Sequence, residues 1–182
     1  MRIGLLRHFP VEQAFPRGWL TSGDLLDWRD RYDLAATTAG PFDLGGIDWP
    51  MCLSSDSPRA RITASTVFRG SFEHTPLLRE PQFARFGQGK VRMPAWAWWW
   101  ALRLAWLTGH SSQRACRDEF LGRVTAVADR LCQSDGDILV VSHAVMMGWL
   151  SRELRRRGFV GPKLRIAEHA KVYVYERSPS AG

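Results

Sequence analysis

Two short apolar runs in this chain each stop on a histidine. Ile138-Leu139-Val140-Val141 ends in Ser142-His143, and Ile3-Gly4-Leu5-Leu6 ends in Arg7-His8. The first run lacks the polar alternation of a strand with one wet face. It reads as a strand buried on both sides, the pattern of a parallel sheet. Ahead of it lies the clearest amphipathic stretch, with Phe120, Leu121, Val124, Val127, Ala128 and Leu131 at helical spacing after a start at Ser111 or Ser112. Behind it a helix is expected from about Ala144 to Arg156, stopped by Gly158. A buried strand between two helices is the repeating unit of an α/β layer, and it narrows the fold more than any other feature here. In an open α/β sheet, ligands bind beyond the carboxyl ends of the strands, which is where both runs place their histidines.

The remaining elements follow in order. Residues 9–21 hold Pro10, Pro16 and Gly18 and read as a loop. Thr21 or Ser22 can cap a helix over about 23–36. Met51-Cys52-Leu53-Ser54 is a short strand, and Pro58 opens a helix running to about Arg69. Leu77, Leu78 and Arg79 suggest an edge strand, and 80–93 looks irregular. The alternating Lys171-Val172-Tyr173-Val174-Tyr175 is a final strand at an edge. The fold expected is a three-layer α/β/α sandwich, with a mostly parallel central sheet and helices on both faces. It would form one domain over 1–177, with a Trp-rich helical insertion at about 80–110 and a disordered tail at 178–182.

The formal charge of +7 favours anionic partners. Its basic residues are spread along the chain, and the densest group, Arg152 to Arg157, reads as a solvated helix face, so no nucleic-acid partner is expected. Cys52, Cys116 and Cys132 are odd in number and widely spaced, which suits reduced thiols in a cytoplasmic protein. The apolar start is too short for a signal peptide. Nine tryptophans are unusual, and five of them fall between Trp96 and Trp106 in PAWAWWWALRLAWL. That segment is shorter than the roughly 20 residues a bilayer span needs and contains Arg103, so no membrane role is expected. Trp96, Trp99, Trp100 and Trp106 are expected to share one helical face, either packed over the sheet or offered as a lid to a ring-bearing substrate.

Three strand ends hold the residues that can carry chemistry: Arg7 and His8; Ser54, Ser55 and Arg59; Ser142 and His143. If the strands are parallel neighbours, these sets converge. Arg59 would sit in a first helical turn, where free N–H groups already favour an anion. Arg7 and Arg59 offer planar forks that match phosphate oxygens. Of two histidines, one can attack phosphorus while the other binds a nonbridging oxygen. The sequence has no clustered acidic metal site and no GxxxxGK[ST] loop. Phosphoryl transfer through a histidine, without metal or cofactor, is the reading that fits.

The chain resembles the histidine phosphatase superfamily, the phosphoglycerate-mutase-like enzymes, and its phosphatase branch in particular. LLRH is similar to the family's RHG signature, SSDSPRARITA to its S-S-x-x-x-R-A-x-x-T-A block, LVVSHA to its V-S-H-G block, and LLRE to the segment that carries its acid. The resemblance implies that His8 is the nucleophile, that Arg7, Arg59 and His143 bind the phosphoryl group, and that Glu80 protonates the leaving oxygen; Glu73, nearby in sequence, is the alternative acid. It implies a small phosphomonoester as substrate; oligomeric state stays open. Two family glycines are replaced, one by Phe9 after the RH pair and one by Ala144 after the second histidine. Phe9 is expected to put bulk at the pocket floor. Glu80 is followed by Pro81, and the family's acidic-aromatic-Gly run is reduced to Ala84-Arg85-Phe86-Gly87. A phosphomutase, a protein-phosphohistidine phosphatase and an inert phosphate-binding module remain alternatives. His74, His110 and His169 are assigned no role.

Overall fold

Ile138–Val141 forms the middle of the sheet it predicts. The computed structural model of the chain describes residues 1–86 and 89–178. Its elements are β1 (Arg2–Arg7), β2 (Trp19–Leu20), α1 (Ser22–Leu34), β3 (Met51–Ser55), α2 (Pro58–Val67), β4 (Glu73–Thr75), β5 (Met93–Pro94), α3 (Ala95–Thr108), α4 (Arg114–Cys132), β6 (Ile138–Ser142), α5 (Ala144–Arg156) and β7 (Val172–Glu176). They group into two compact units. One holds residues 1–10, 37–80 and those from Gly122 on; the other holds 11–36 and 81–121. The expected 80–110 insertion falls in the second unit apart from Glu80, and that unit also takes in 11–36.

The first unit is built on a five-stranded sheet in the order β4-β3-β6-β1-β7. β4, β3, β6 and β1 run parallel, and β7 is antiparallel to β1 at the edge. Side chains alternate between faces. On one face Leu6, Cys52, Leu139 and Val141 meet Ala60, Ala64 and Val67 of α2. The alternate positions Ile3, Leu5, Leu53 and Val140 are equally buried, as are Met146, Met147, Leu150 and Leu154 of α5, which packs on β1 and β7. The result is the expected α/β sandwich with a mostly parallel sheet. Each such side chain removed from water contributes ~1.5–3 kcal/mol before entropy is charged against it.

The register aligns the strand ends. Arg7 lies opposite Ser142, and Ser54 lies opposite Val141, so β1, β3 and β6 finish level with one another. Gly4 is required by packing: a Cβ there would come within 2.6 Å of the Trp49 indole, which lies across β1.

Two expected boundaries move. The strand near Leu77–Arg79 forms earlier, as β4, because Pro76 has no N–H to extend the ladder. Residues 76–78 instead make a 3-10 turn capped by the Thr75 hydroxyl, which accepts from Leu77 N at 3.3 Å. α4 begins at Arg114 and not at Ser111 or Ser112. The buried Gln113 side chain just before it holds both the N–H and the carbonyl of Ala84, each at 3.0 Å.

In the second unit α3 turns Ala95, Trp98, Leu102, Ala105 and Trp106 inward. Trp98 packs with Leu25 and Leu102 and donates its Nε1–H to Leu20 O at 2.7 Å. The expected face is therefore split. Trp106 is buried, whereas Trp96 and Trp100 are 66% and 64% exposed. Among the described residues no helix is long and apolar enough to cross a membrane. The expected tail at 178–182 lies, apart from Ser178, outside the described residues, as does Gly87.

Candidate active site

Because β1 and β6 end level, His8 and His143 emerge side by side, with ring centroids 5.0 Å apart. His8 N donates to Ser142 O at 3.0 Å, which carries the parallel ladder one residue past β1. The His8 imidazole is buried, and its Nδ1 lies 2.6 Å from Phe9 O. A carbonyl only accepts, so Nδ1 carries the proton and Nε2 keeps its lone pair. Burial, and then the Arg59 guanidinium, push the imidazole down to about 3, so His8 is neutral at ordinary pH.

His143 caps α5 and is fully enclosed. Arg59 Nε donates to its Nδ1 at 3.3 Å, which puts the His143 proton on Nε2. That nitrogen lies 3.0 Å from the Ser55 hydroxyl and 3.2 Å from the Ser57 hydroxyl. Burial and then Arg59 hold the imidazole well below its usual range. Arg59 occupies the first turn of α2, as the Pro58 start predicts, and is buried. Arg7, at the end of β1, donates Nη1–H to Ala167 O at 2.8 Å. Both arginines act electrostatically on both histidines, so two guanidiniums and two neutral imidazoles share one corner at the strand ends. Such a corner is complementary to an anion with several oxygens.

Glu80 is half-buried at the N-terminus of α5, where Oε1 accepts from Val145 N at 2.9 Å. Arg123 of α4 holds the backbone that carries it, donating to Arg79 O at 2.7 Å and Glu80 O at 3.3 Å. Glu73 is placed differently: it lies in β4, exposed, in an ion pair with Arg130 of α4. The carboxylate at the mouth of β6 is thus Glu80.

Phe9 departs from expectation. Its side chain is fully buried in the cluster with Ala60, Ala64 and Val67 and does not form a pocket floor. Ala170 has the one positive φ recorded for a non-glycine among the described residues, so Phe9 takes ordinary backbone where the family has glycine. Two residues without an assigned role join the site. Arg123 steadies the Glu80 segment, and His169 donates Nδ1–H to His8 O at 2.6 Å, with its ring 5.3 Å from that of His8. Its place just before β7 reveals this only once β7 is known to run antiparallel beside β1. No cluster of metal-ligating side chains occurs among the described residues.

The family model for the histidine phosphatase superfamily (branch 1) matches residues 35–181, a stretch that includes Arg59, Glu80, His143 and His169 but not Arg7-His8. No curated protein sequence matches the chain. Similar solved structures include phosphoglycerate mutase from Bacillus anthracis, with a TM-score of 0.59, 18% identity, and coverage of 95% of this chain and 86% of that one. The alpha-ribazole phosphatase from Shigella flexneri gives 0.52 at 20% identity, covering 85% and 79%. The mycobacterial glucosyl-3-phosphoglycerate phosphatase gives 0.50 at 18% identity over the same shares, 85% and 79%. These likenesses are to the fold, and the family match spans most of the chain, with the buried Arg59 and the strand-end His143 inside it. The chain belongs to the histidine phosphatase superfamily.

Proposed function

We propose that this protein hydrolyses small phosphomonoesters, without a metal, through a phosphohistidine on His8. The observation that carries the reading is the His8 Nδ1–H bond to Phe9 O, which leaves a neutral Nε2 lone pair beside Arg7, Arg59 and His143. Nε2 attacks phosphorus, and the bond to the leaving oxygen breaks as Glu80 supplies that oxygen with a proton. Arg7 and Arg59 balance the charge on the nonbridging oxygens, and neutral His143 offers them its Nε2–H. Glu80, now a carboxylate, takes a proton from water, whose oxygen attacks phosphorus and frees the His8 nitrogen with release of inorganic phosphate. Electrostatic stabilisation of this kind supplies most of the barrier reduction in such sites. The similar structures include two named as phosphatases and one as a mutase, which supports phosphoryl chemistry.

The test is phosphate release from p-nitrophenyl phosphate, with and without chelator. Turnover should be indifferent to chelator and lost in His8→Ala; full activity in His8→Ala overturns the proposal. Glu80→Gln should slow alkyl phosphates far more than p-nitrophenyl phosphate, whose leaving group needs no proton. Transfer between positions of a phosphoglycerate in excess of hydrolysis would reassign the site to a mutase.

A further inference from the structure

The peptide bond between His8 and Phe9 is held by a side chain on each of its polar edges. Its carbonyl, His8 O, accepts from His169 Nδ1 at 2.6 Å. Its N–H, that of Phe9, donates to Thr63 Oγ1 at 2.9 Å. Thr63 spends its own hydroxyl proton on Arg59 O at 2.8 Å, so Oγ1 faces Phe9 N as an acceptor. The next carbonyl along, Phe9 O, is the one that takes the His8 Nδ1 proton. Peptide units are planar, so fixing the first plane limits where Phe9 O can stand.

His169 is not needed to close its own segment. Ala170 N already donates to Arg7 O at 2.9 Å, and Ala167 O already accepts from Arg7 Nη1 at 2.8 Å. Ala170 adopts a left-handed φ of 56°, uncommon for a residue with a Cβ, while its neighbour reaches the His8 carbonyl. Burial lowers the His169 imidazole, but Nδ1–H can donate whether or not Nε2 is protonated, so the contact survives across pH.

We propose that His169 is a positioning residue: with Thr63 it clamps the His8–Phe9 peptide so that Phe9 O locks His8 in the tautomer whose Nε2 is free to attack phosphorus. The inference rests on the phosphohistidine reading for its consequence in rate, but the clamp itself is visible without turnover. The readout is the 15N shifts of the His8 ring nitrogens in uniformly labelled protein, assigned by their loss in His8→Gln. Wild type should show one tautomer, protonated at Nδ1. His169→Ala should show a mixture, with kcat lowered roughly 10–100-fold, as for other partners that orient a reacting group, and KM within about twofold. His169→Asn places an amide N–H where Nδ1 stood and should restore both the single tautomer and most of the rate. His169→Gln places its amide at the Nε2 position and should restore neither. A single Nδ1–H tautomer with wild-type kcat in His169→Ala overturns the clamp, as does rescue by Gln equal to that by Asn if the alanine variant fails to fold. A locked tautomer in a wild-type protein that forms no phosphohistidine would sink the phosphatase reading and leave the clamp standing.

Discussion

The sheet-bearing unit and the unit built around α3 both use large aromatics, to opposite ends. In the first, Phe9 and Trp49 are enclosed, packed against strands whose alternation decides which way each residue faces. In the second, Trp98 and Trp106 are enclosed while Trp96, Trp99 and Trp100, on the same helix, are exposed. A strand's period of two leaves little choice once one face is assigned. A helix that is apolar all round carries no such instruction, because its inward face depends on what packs against it. The difference teaches that Arg7, His8 and His143 lie at strand ends, where the sheet fixes the position of a side chain, whereas the most conspicuous residues of the sequence lie on a helix, where nothing comparable does.

Several substitutions can break that comparison. Phe9→Ala and Trp98→Ala should each cost ~3–5 kcal/mol in denaturant unfolding, since both fill cores. A small loss at Trp98 would mean that α3 is held by something other than its inner face. Arg59→Gln should lower kcat/KM by about 10²–10³, equivalent to roughly 2.7–4 kcal/mol of transition-state stabilisation.

pH separates the units further. Burial, then Arg59, lowers the His8 imidazole from 6.5 to about 3, and lowers His143 in the same direction. Below about pH 6.5 the unfolded chain binds these protons and the folded chain does not. Stability should therefore fall as pH drops from about 6.5 toward 3, by at most ~1.4 kcal/mol per unit for each histidine. Melting curves at pH 4.5 and 7 should differ less in His8→Gln, and less in the presence of phosphate, whose charge opposes that of the arginines. At the small end, Trp96→Gln or Trp100→Gln should move stability by no more than about 0.5 kcal/mol, because both indoles face solvent.

How much the sequence discloses follows the same line. Ile3–Leu6 and Ile138–Val141 announce parallel strands, and the residues after them announce the site, because a strand end is a fixed place in an α/β sheet. Arg59 is legible because Pro58 marks the helix start. Glu80 is legible by resemblance, and its carboxylate meets the α5 amide of Val145. His169 is hidden because its nearness to His8 depends on the antiparallel pairing of β7 with β1, which crosses almost the whole chain. Phe9 misleads because glycine in that place suggests a need for space. Here the side chain turns into the α2 face of the core and leaves the pocket alone.

Phosphorylation of His8 Nε2 is the central step of the proposed reaction. The direct measurement is rapid quenching of the enzyme with 32P-labelled phosphomonoester into alkaline detergent, where a phosphoramidate survives, followed by mapping of the labelled peptide. The prediction is label on the peptide that contains His8, formed within one turnover and absent from His8→Ala. Label on another residue, or steady turnover in His8→Ala with no label at all, would contradict it.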